Sequence, residues 1–596
     1  MSTYTFNDRL SEIKKPDPER LKKNDLEFGR FYETLKGLEH TAKLNGGKVF
    51  IIGDYDCDGI CSSSILSKIF PEAEVILGDR YKYGYGVPTD IPVGKNDLII
   101  CTDVGTNDVD ALSMFYKTYG AVTAIIDHHE FNIPKMKEYQ YILNFNKEDT
   151  DKMPDYCATG LAYKLYEIDY RATRKEETDK TAKELNTVKA LAAIGTIADM
   201  VKVNNPYDDN RQIILNGFEA IREADFDKDN FDETLGYVLS KCGITDNPYS
   251  ITTDTIQMKV APVFNAASRM KEGGAMEVFG AINAPFLTER GQIDQDNLQK
   301  IDEIFTLNDA RKDRKKDALD SDEYKAVLNN DADIKIYVND SLPLGLNGLI
   351  ASDLTNRTGK PAIVFCKNPE GVYVGSGRNA DGYPSALDEV RASGIDALRL
   401  GGHADAFGLS VAPDKMKDTI AALEKHYAKV KHSDVEIPHL DYIPKKGQSC
   451  PLSADDMMKL EPFGPDFPKV HVEVKGKVSD LDITISDIKK KDNPADYKKF
   501  SLGGITFTTF SAGEKLTDMA VNNEELSISG DLNINAFRDS KSFQVIFDSC
   551  SDNRERAKEK PVAKDASKKE PDPKEPVLKE SAPKEPKQEE IDDFYK

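Results

Sequence analysis

Three short apolar runs punctuate the first quarter of the chain: Lys48-Val49-Phe50-Ile51-Ile52, Asp97-Leu98-Ile99-Ile100-Cys101 and Ala121-Val122-Thr123-Ala124-Ile125-Ile126. Their length and β-branched content predict buried strands. The stretches 62–70 and 108–119 are long enough to be crossover helices. Strand–helix–strand alternation predicts an α/β fold built on a mostly parallel sheet with helices on both faces. Ahead of the first run, residues 1–45 read as mainly polar and helical, with a break at Pro16 and Pro18. Further on, Val188–Met200 reads as an apolar helix whose single acid is Asp199.

The pattern then changes. Residues 292–324 are charged and helix-forming, with Asn308 and Arg311 near the centre, and predict a rigid connecting helix. From about 332 a second α/β unit begins. Its strands are expected at Ile334–Val338 and Pro361–Phe365, and its Gly-rich loops at Gly375-Ser376-Gly377-Arg378 and Gly401-Gly402-His403. From about 437 short strands dominate: 470–474, 500–507 as one strand, 526–530 and 543–547. Short strands with turn signals and no long helix predict a small β-barrel. Residues 551–596 hold 6 Pro and 25 charged residues in 46 positions, repeat Lys-Glu-Pro at 569, 574 and 584, and cannot bury a core. The expected domains are 1–45, 46–290, 291–331 (the connecting helix), 332–436, 437–550 and a disordered tail, 551–596.

Composition narrows the function classes only a little. The 596 residues are 31% charged and 39% hydrophobic, with a net charge of −23. This balance argues against nucleic-acid binding by bulk charge, but not against a local basic groove. No run of about 18 apolar residues exists, so no membrane contact is expected. Residues 1–6 lack a basic patch followed by an apolar stretch, so no secretory signal is expected either. The eight Cys are scattered without metal-ligand pairing. That pattern suits a reducing cytoplasm and makes a zinc site unexpected.

The candidate chemistry sits behind the three strands. Gly53-Asp54-Tyr55-Asp56-Cys57-Asp58-Gly59 sets three carboxylates on alternate residues of a strand end. Gly53 and Gly59 would permit a curl that brings them together. Asp103 follows the second strand, and Asp127-His128-His129 follows the third. Ligands in parallel α/β sheets sit beyond the carboxyl ends of strands, so the three motifs are expected to form one site. Asp103 is placed to bridge two ions, His128 to ligate and His129 to donate to a phosphate oxygen. Asp199 would close the shell, since a lone buried carboxylate needs a partner or a metal. Oxygen donors with one or two imidazoles favour Mn2+ or Mg2+ over zinc. Two such ions about 4 Å apart suit hydrolysis at phosphorus.

These strings also resemble the DHH phosphoesterases and, within them, the RecJ family of single-strand exonucleases. Asp54–Gly59 and Asp127–His129 fit any DHH member. Arg80-Tyr81-Lys82-Tyr83-Gly84-Tyr85-Gly86, Gly195-Thr196-Ile197-Ala198-Asp199, Asn265-Ala266-Ala267-Ser268-Arg269, Gly401-Gly402-His403-Ala404 and Glu461-Pro462-Phe463-Gly464-Pro465 are similar to RecJ elements in the same order, over about 45–548.

The resemblance implies a DHH catalytic domain at 46–290, an associated substrate-binding domain at 332–436 and an OB-like nucleic-acid-binding barrel at 437–550. Asp54, Asp56, Asp58, Asp103, His128 and Asp199 would hold two divalent ions, Mn2+ or Mg2+, with Asp103, Asp127 and His129 catalytic. Arg80, Asn265, Arg269, Ser376, Arg378 and His403 would bind phosphates, and Tyr85 would stack on a base.

The implied activity is 5′→3′ degradation of single-stranded DNA to mononucleotides, by a monomer in a bacterial or virus-infected cytoplasm. Alternatives are a phosphodiesterase of short oligonucleotides or cyclic dinucleotides, and a non-catalytic replication scaffold. The acidic-aromatic tip Glu589–Lys596 resembles the docking tip of single-strand-binding proteins, which implies replication or single-strand-binding partners. Four positions depart from the family pattern: Pro343-Leu344-Gly345 replaces His-x-Gly, Ser268 replaces Gly, and Gly377 and Asn379 flank Arg378 where Ala and Ser are usual.

Overall fold

The structure, a computed structural model, describes residues 6–552 except 149, 151, 174–177, 225–229, 245–247, 289, 403, 434–438, 441–449, 451, 482, 489–496, 511, 538–539 and 548–549. His403 and the tail from 553 onward, including its acidic tip, lie outside the described residues.

Two compact units are present. The larger holds 14–436 and 464–466; the smaller holds the described parts of 6–13, 437–463 and 467–552. The N-terminal segment divides between them. Helix α1 (Phe6–Ser11) belongs to the smaller unit and α2 (Pro18–Leu44) to the larger.

The larger unit opens with a five-stranded parallel sheet made of β1 (Val49–Gly53), β2 (Glu74–Leu77), β3 (Leu98–Thr102), β4 (Val122–Ile126) and β5 (Ile142–Leu143), in the order β2-β1-β3-β4-β5. All residues of β1 and β3 are buried, as expected for strands covered on both faces. The covering helices are α3 (Cys57–Ile69), α4 (Val109–Tyr119), α5 (Ala158–Thr173) and α6 (Asp179–Ala198). The strand order reverses between β1 and β3, and such a switch point opens a crevice at the carboxyl ends of the strands. Asp54 follows β1 and Asp103 follows β3 at that crevice.

The connecting helix runs over Gln295–Asp320 and ends at Ser321, which at once caps a second helix, Asp322–Asn329, through a bond from Tyr324 N–H to its hydroxyl. One continuous helix to 324 was expected; a Ser whose oxygen satisfies the next helix's free N–H divides it.

Behind it lies the second sheet, β6 (Lys335–Val338), β7 (Ala362–Lys367), β8 (Tyr373–Arg378), β9 (Ala397–Gly402) and β10 (Ala406–Val411), ordered β6-β7-β8-β10-β9. Gly375–Arg378, expected as a loop, is the end of β8, and Gly401-Gly402 ends β9. The glycines serve packing here. A Cβ on Gly377 would lie 2.1 Å from Phe407 Cζ, and one on Gly375 would lie 2.6 Å from Phe365 Cε1.

The smaller unit is mainly β: β11 (His439–Leu440), β12 (His471–Lys477), β13 (Ser486–Asp487), β14 (Lys498–Leu502), β15 (Ile505–Thr509), β16 (Glu525–Phe537), β17 (Ser540–Ile546) and β18 (Ser551–Asp552). The path is β11-β12-β16-β17-β15-β14-β13. No pairing joins its two ends among the described residues, so the expected barrel is seen here as an open path. The single strand expected over 500–507 is a hairpin, because Gly503 (φ 56°) and Gly504 (φ 77°) form its two-residue turn.

Candidate active site

Each acidic motif reaches the crevice by its own route. Asp103 and Asp127 directly follow β3 and β4, but of the three acids at 54–58 only Asp54 directly follows a strand. Asp56 is the N-cap of α3, its Oδ1 accepting from the N–H groups of Asp58 (3.0 Å) and Gly59 (3.1 Å). Asp58 lies in the first turn of α3, so the expected alternation along a strand end gives way to a helix start. Gly53 and Gly59 allow close approach rather than an unusual backbone. A Cβ on Gly59 would sit 2.4 Å from the Asp54 carbonyl oxygen, and one on Gly53 would sit 2.2 Å from Ser63 Oγ.

This geometry separates the three acids. Asp54, Asp56 and Asp103 offer ligand atoms within 4.8 Å of one another, and so, as a second set, do Asp58, His128 and Asp199. The two sets meet where His128 Nε2 stands 3.2 Å from Asp103 Oδ1; the same nitrogen is 3.6 Å from Asp199 and 3.8 Å from Asp58. Asp103 has φ 61°, a left-handed conformation that turns its side chain back into the crevice. Asp199 is the C-cap of α6, where the helix dipole adds negative potential to a carboxylate already among acids.

Burial and mutual repulsion dominate the electrostatics. Burial, then the Asp56 charge, pushes the Asp54 carboxyl well above its usual range. Burial, then Asp58, does the same to Asp103. Asp58 and Asp199 are also raised, burial again leading, with His128 opposing. His128 is the counterpart: burial disfavours its charge, but Asp199, Asp58 and Asp127 outweigh that and hold its pKa at about 9. Asp54 Oδ1 is buried without a hydrogen-bond partner. Five crowded carboxylates, one imidazole and an orphaned buried oxygen fit divalent cations with hard oxygen ligands.

Asp127 is engaged differently. It is fully buried and accepts from Thr106 N–H (3.1 Å), His128 N–H (2.7 Å) and His129 N–H (3.2 Å), with His129 Nδ1 2.7 Å away. Burial opposes its charge, yet His129 and these donors hold its carboxyl well below the usual range. Tyr85 is 47% exposed, and its hydroxyl lies 3.0 Å from His129 Nδ1 and donates at 3.3 Å to the Asp103 carbonyl.

Several supports were not foreseen from the sequence. Asn144 donates to the His129 carbonyl, and Asn146 to the His128 carbonyl. Asp58 accepts from Ala158 N–H (2.9 Å) and Thr159 N–H (2.8 Å), so it also caps α5. Polar residues after a strand, as Asn144 and Asn146 are after β5, are the available signal for such supports.

Beside the acids lies a group of arginines. Arg80 stacks 4.2 Å above the Tyr55 ring, and its Nε is buried without a partner. Arg269 donates through Nη1 to the Gly345 carbonyl at 2.9 Å. Its pKa is pushed down to about 9 by burial and then by Arg80, with Arg378 and Arg311 adding to the effect and Asp56 opposing it. Arg378 extends from the end of β8 and donates to the Gly377 carbonyl. Guanidiniums gathered against their own repulsion have the chemistry to take an anion such as phosphate or carboxylate. Asn265 is used within the fold, its Oδ1 accepting from Cys57 N–H at the start of α3. Ser376 lies on β8, opposite Gly408.

Residues 48–196 match the DHH family, N-terminal domain. The chain is 26% identical over 527 residues to the single-stranded-DNA-specific exonuclease RecJ of Bacillus subtilis, covering 84% of this chain and 60% of that relative. It thus spans three fifths of that relative's length. It is 24% identical over 584 residues to a putative SPbeta prophage-derived single-strand DNA-specific exonuclease, YorK, of Bacillus subtilis, covering 91% of this chain and 95% of the relative. Among solved structures, RecJ of Thermus thermophilus in complex with Mn2+ superposes with a TM-score of 0.65 at 20% identity, covering 89% of this chain and 72% of that one. The ligand sets thus lie at the switch point of a domain that matches the DHH family, in a chain similar over most of its length to single-stranded-DNA-specific exonucleases of the RecJ type.

Proposed function

We propose that this protein is a metal-dependent exonuclease that degrades single-stranded DNA from a 5′ end, releasing mononucleotides. What carries the reading is the meeting of the two ligand sets at Asp103 and His128 beside the arginine group. Asp54, Asp56 and Asp103 would hold one divalent ion, Mn2+ or Mg2+, and Asp58, His128 and Asp199 the other. When bound, these ions supply Lewis acidity at the phosphodiester and activation of water. Arg80, Arg269 and Arg378, with Ser376, bind and orient the phosphates at the 5′ end. Asp127 fixes the His129 ring through Nδ1, and Nε2, 3.1 Å from the Tyr85 hydroxyl, would hold a proton toward a phosphate oxygen. The exposed face of Tyr85 is open to stack a base, a contact that tolerates any sequence.

Two features outside the described residues complete the reading. His403 would bind phosphate, and the acidic tip at 589–596 would recruit replication or single-strand-binding proteins. The deciding experiment gives purified protein and Mn2+ to 5′- and 3′-labelled single and double strands, alongside a dinucleotide, and sizes the products. Mononucleotides released from the 5′ end of single strands support the proposal. Turnover of the dinucleotide alone would replace it with a short-substrate phosphodiesterase.

A further inference from the structure

The connecting helix carries a feature that the metal site does not use. A groove of about 650 Å³ runs along it, lined by Arg311, Lys312, Lys315, Lys316, Lys325 and Arg357. The one carboxylate in its lining is Asp320, in a chain whose net charge is −23. The cations are arranged, not scattered. Positions 311, 312, 315 and 316 fall at i, i+1, i+4 and i+5 and so share one face of the helix over successive turns, about 6 Å apart. Leu319 and Leu328 floor the groove.

The existing partners leave most of this charge available. Among the described residues Lys312 reaches only Asp309, in its own helix, at 2.8 Å. Arg357 pairs with Asp353 at 2.8 Å, while Lys315 stands 3.8 Å from the same acid. Lys316 has no ion-pair or hydrogen-bond partner among the described residues. Tyr324, the one aromatic ring of the lining, is buried with its hydroxyl on Asp353, so no ring is offered to stack a base. Phosphate oxygens are what such a surface can recognise. Arg311 links the groove to the site described above, because its charge also acts on Arg269.

We infer that this groove is a second backbone-binding site, in which Lys312, Lys315 and Lys316 hold consecutive phosphates of a single strand whose end lies in the arginine group. The inference rests on the exonuclease reading and extends it: the groove lets the enzyme favour long strands over short ones without reading sequence.

The test is the K312E/K315E/K316E variant of the full chain. With Mn2+, KM for a 5′-phosphorylated oligothymidylate of about 25 nucleotides should rise at least about tenfold, while kcat stays level and turnover of a trinucleotide is untouched. In EDTA, where the strand survives, its affinity by fluorescence anisotropy should fall, and the salt slope should shrink by about 0.7 for each phosphate no longer neutralised. Replacing the same lysines with Arg should restore both. Equal KM values and salt slopes for wild type and variant, with the wild type cleaving, overturn the groove and leave the exonuclease standing. A wild type that cleaves neither strand removes the exonuclease reading, while the anisotropy still decides the groove. Loss of polyglutamate binding with strand binding intact assigns the groove to an acidic protein instead, and also overturns the inference.

Discussion

Asp103 Oδ1 and His128 Nε2 are 3.2 Å apart, where the Asp54–Asp56–Asp103 set meets the Asp58–His128–Asp199 set; the two residues also share a third set with Asp127 and His129. This one approach therefore joins the two halves of the centre. Asp103 is held there by a left-handed backbone that costs about 1 kcal/mol or more and that Asn also tolerates.

Asp103→Asn is accordingly the sharpest substitution. It preserves shape and backbone preference but removes the charge that stands where the two sets meet. Cleavage should fall at least about a hundredfold, more than the loss of an outer-shell partner costs. The metal-free protein should melt higher than wild type, because one of several buried, repelling carboxylates has become neutral. A nuclease assay and a melting curve in EDTA check both.

The raised carboxyls at Asp54, Asp58, Asp103 and Asp199 and the raised imidazole at His128 act in one direction. Each binds its proton more tightly folded than unfolded. The stability each gives is fully present below its unfolded pKa and is lost as pH rises through the folded value, which for His128 is about 9. Without metal, the melting temperature should fall as pH climbs from neutral toward 9. Mn2+ displaces the protons and supplies the missing positive charge, so the stabilisation by metal should grow over the same range. Melting curves across pH with EDTA or Mn2+ measure it; a metal effect independent of pH would remove these groups as its ligands.

Asp127 predicts a different phenotype. Its oxygens serve Thr106, the His128–His129 turn and His129 Nδ1. Asp127→Asn keeps the volume but loses the negative charge and one of the two acceptor oxygens, so its amide NH2 must face either Thr106 N–H or the donors of the His128–His129 turn. Activity should fall about 10²–10⁴-fold, the range attached to a positioned proton-transfer group. Metal-induced stabilisation should change far less than in Asp103→Asn. A loss of metal stabilisation equal to that of Asp103→Asn would make Asp127 a ligand instead.

Much of this centre was legible because the three apolar runs announce parallel strands, and parallel strands put chemistry at their carboxyl ends. Asp54, Asp103 and Asp127 all obey that rule. What the pattern could not show is how each chain leaves its strand. Asp56 and Asp58 alternate in sequence, but the Asp56 cap starts a helix and sends Asp58 to the other ligand set. Glycine misled twice in the same way. Gly375 and Gly377 look like a loop, yet they are strand residues that make room for Phe365 and Phe407, rings distant in sequence. Gly503-Gly504 looks like part of a strand, yet it is a turn. The arginine group draws its members from 80, 269 and 378, and nothing local in the chain reveals that they meet.

The junction at Gly345 gives the last prediction. Its carbonyl accepts from Arg269 Nη1, while Tyr81 donates to the Arg269 carbonyl at 2.6 Å, so Arg269 is clasped from both sides. A Cβ on Gly345 would lie 2.4 Å from Arg269 Cα, a backbone atom that no rotamer change can move away. Gly345→Ala should therefore cost about 1–3 kcal/mol by overpacking and push the guanidinium off its present line. If Arg269 binds the terminal phosphate, KM should rise more for a 5′-phosphorylated strand than for a 5′-hydroxyl strand, with kcat less affected. If instead the protein is destabilised but the ratio of the two KM values stays at its wild-type value, Arg269 serves the junction between the two α/β units and the phosphate falls to Arg80 and Arg378. Either outcome separates structural strain from recognition, because strain acts on both strands alike and only recognition distinguishes them.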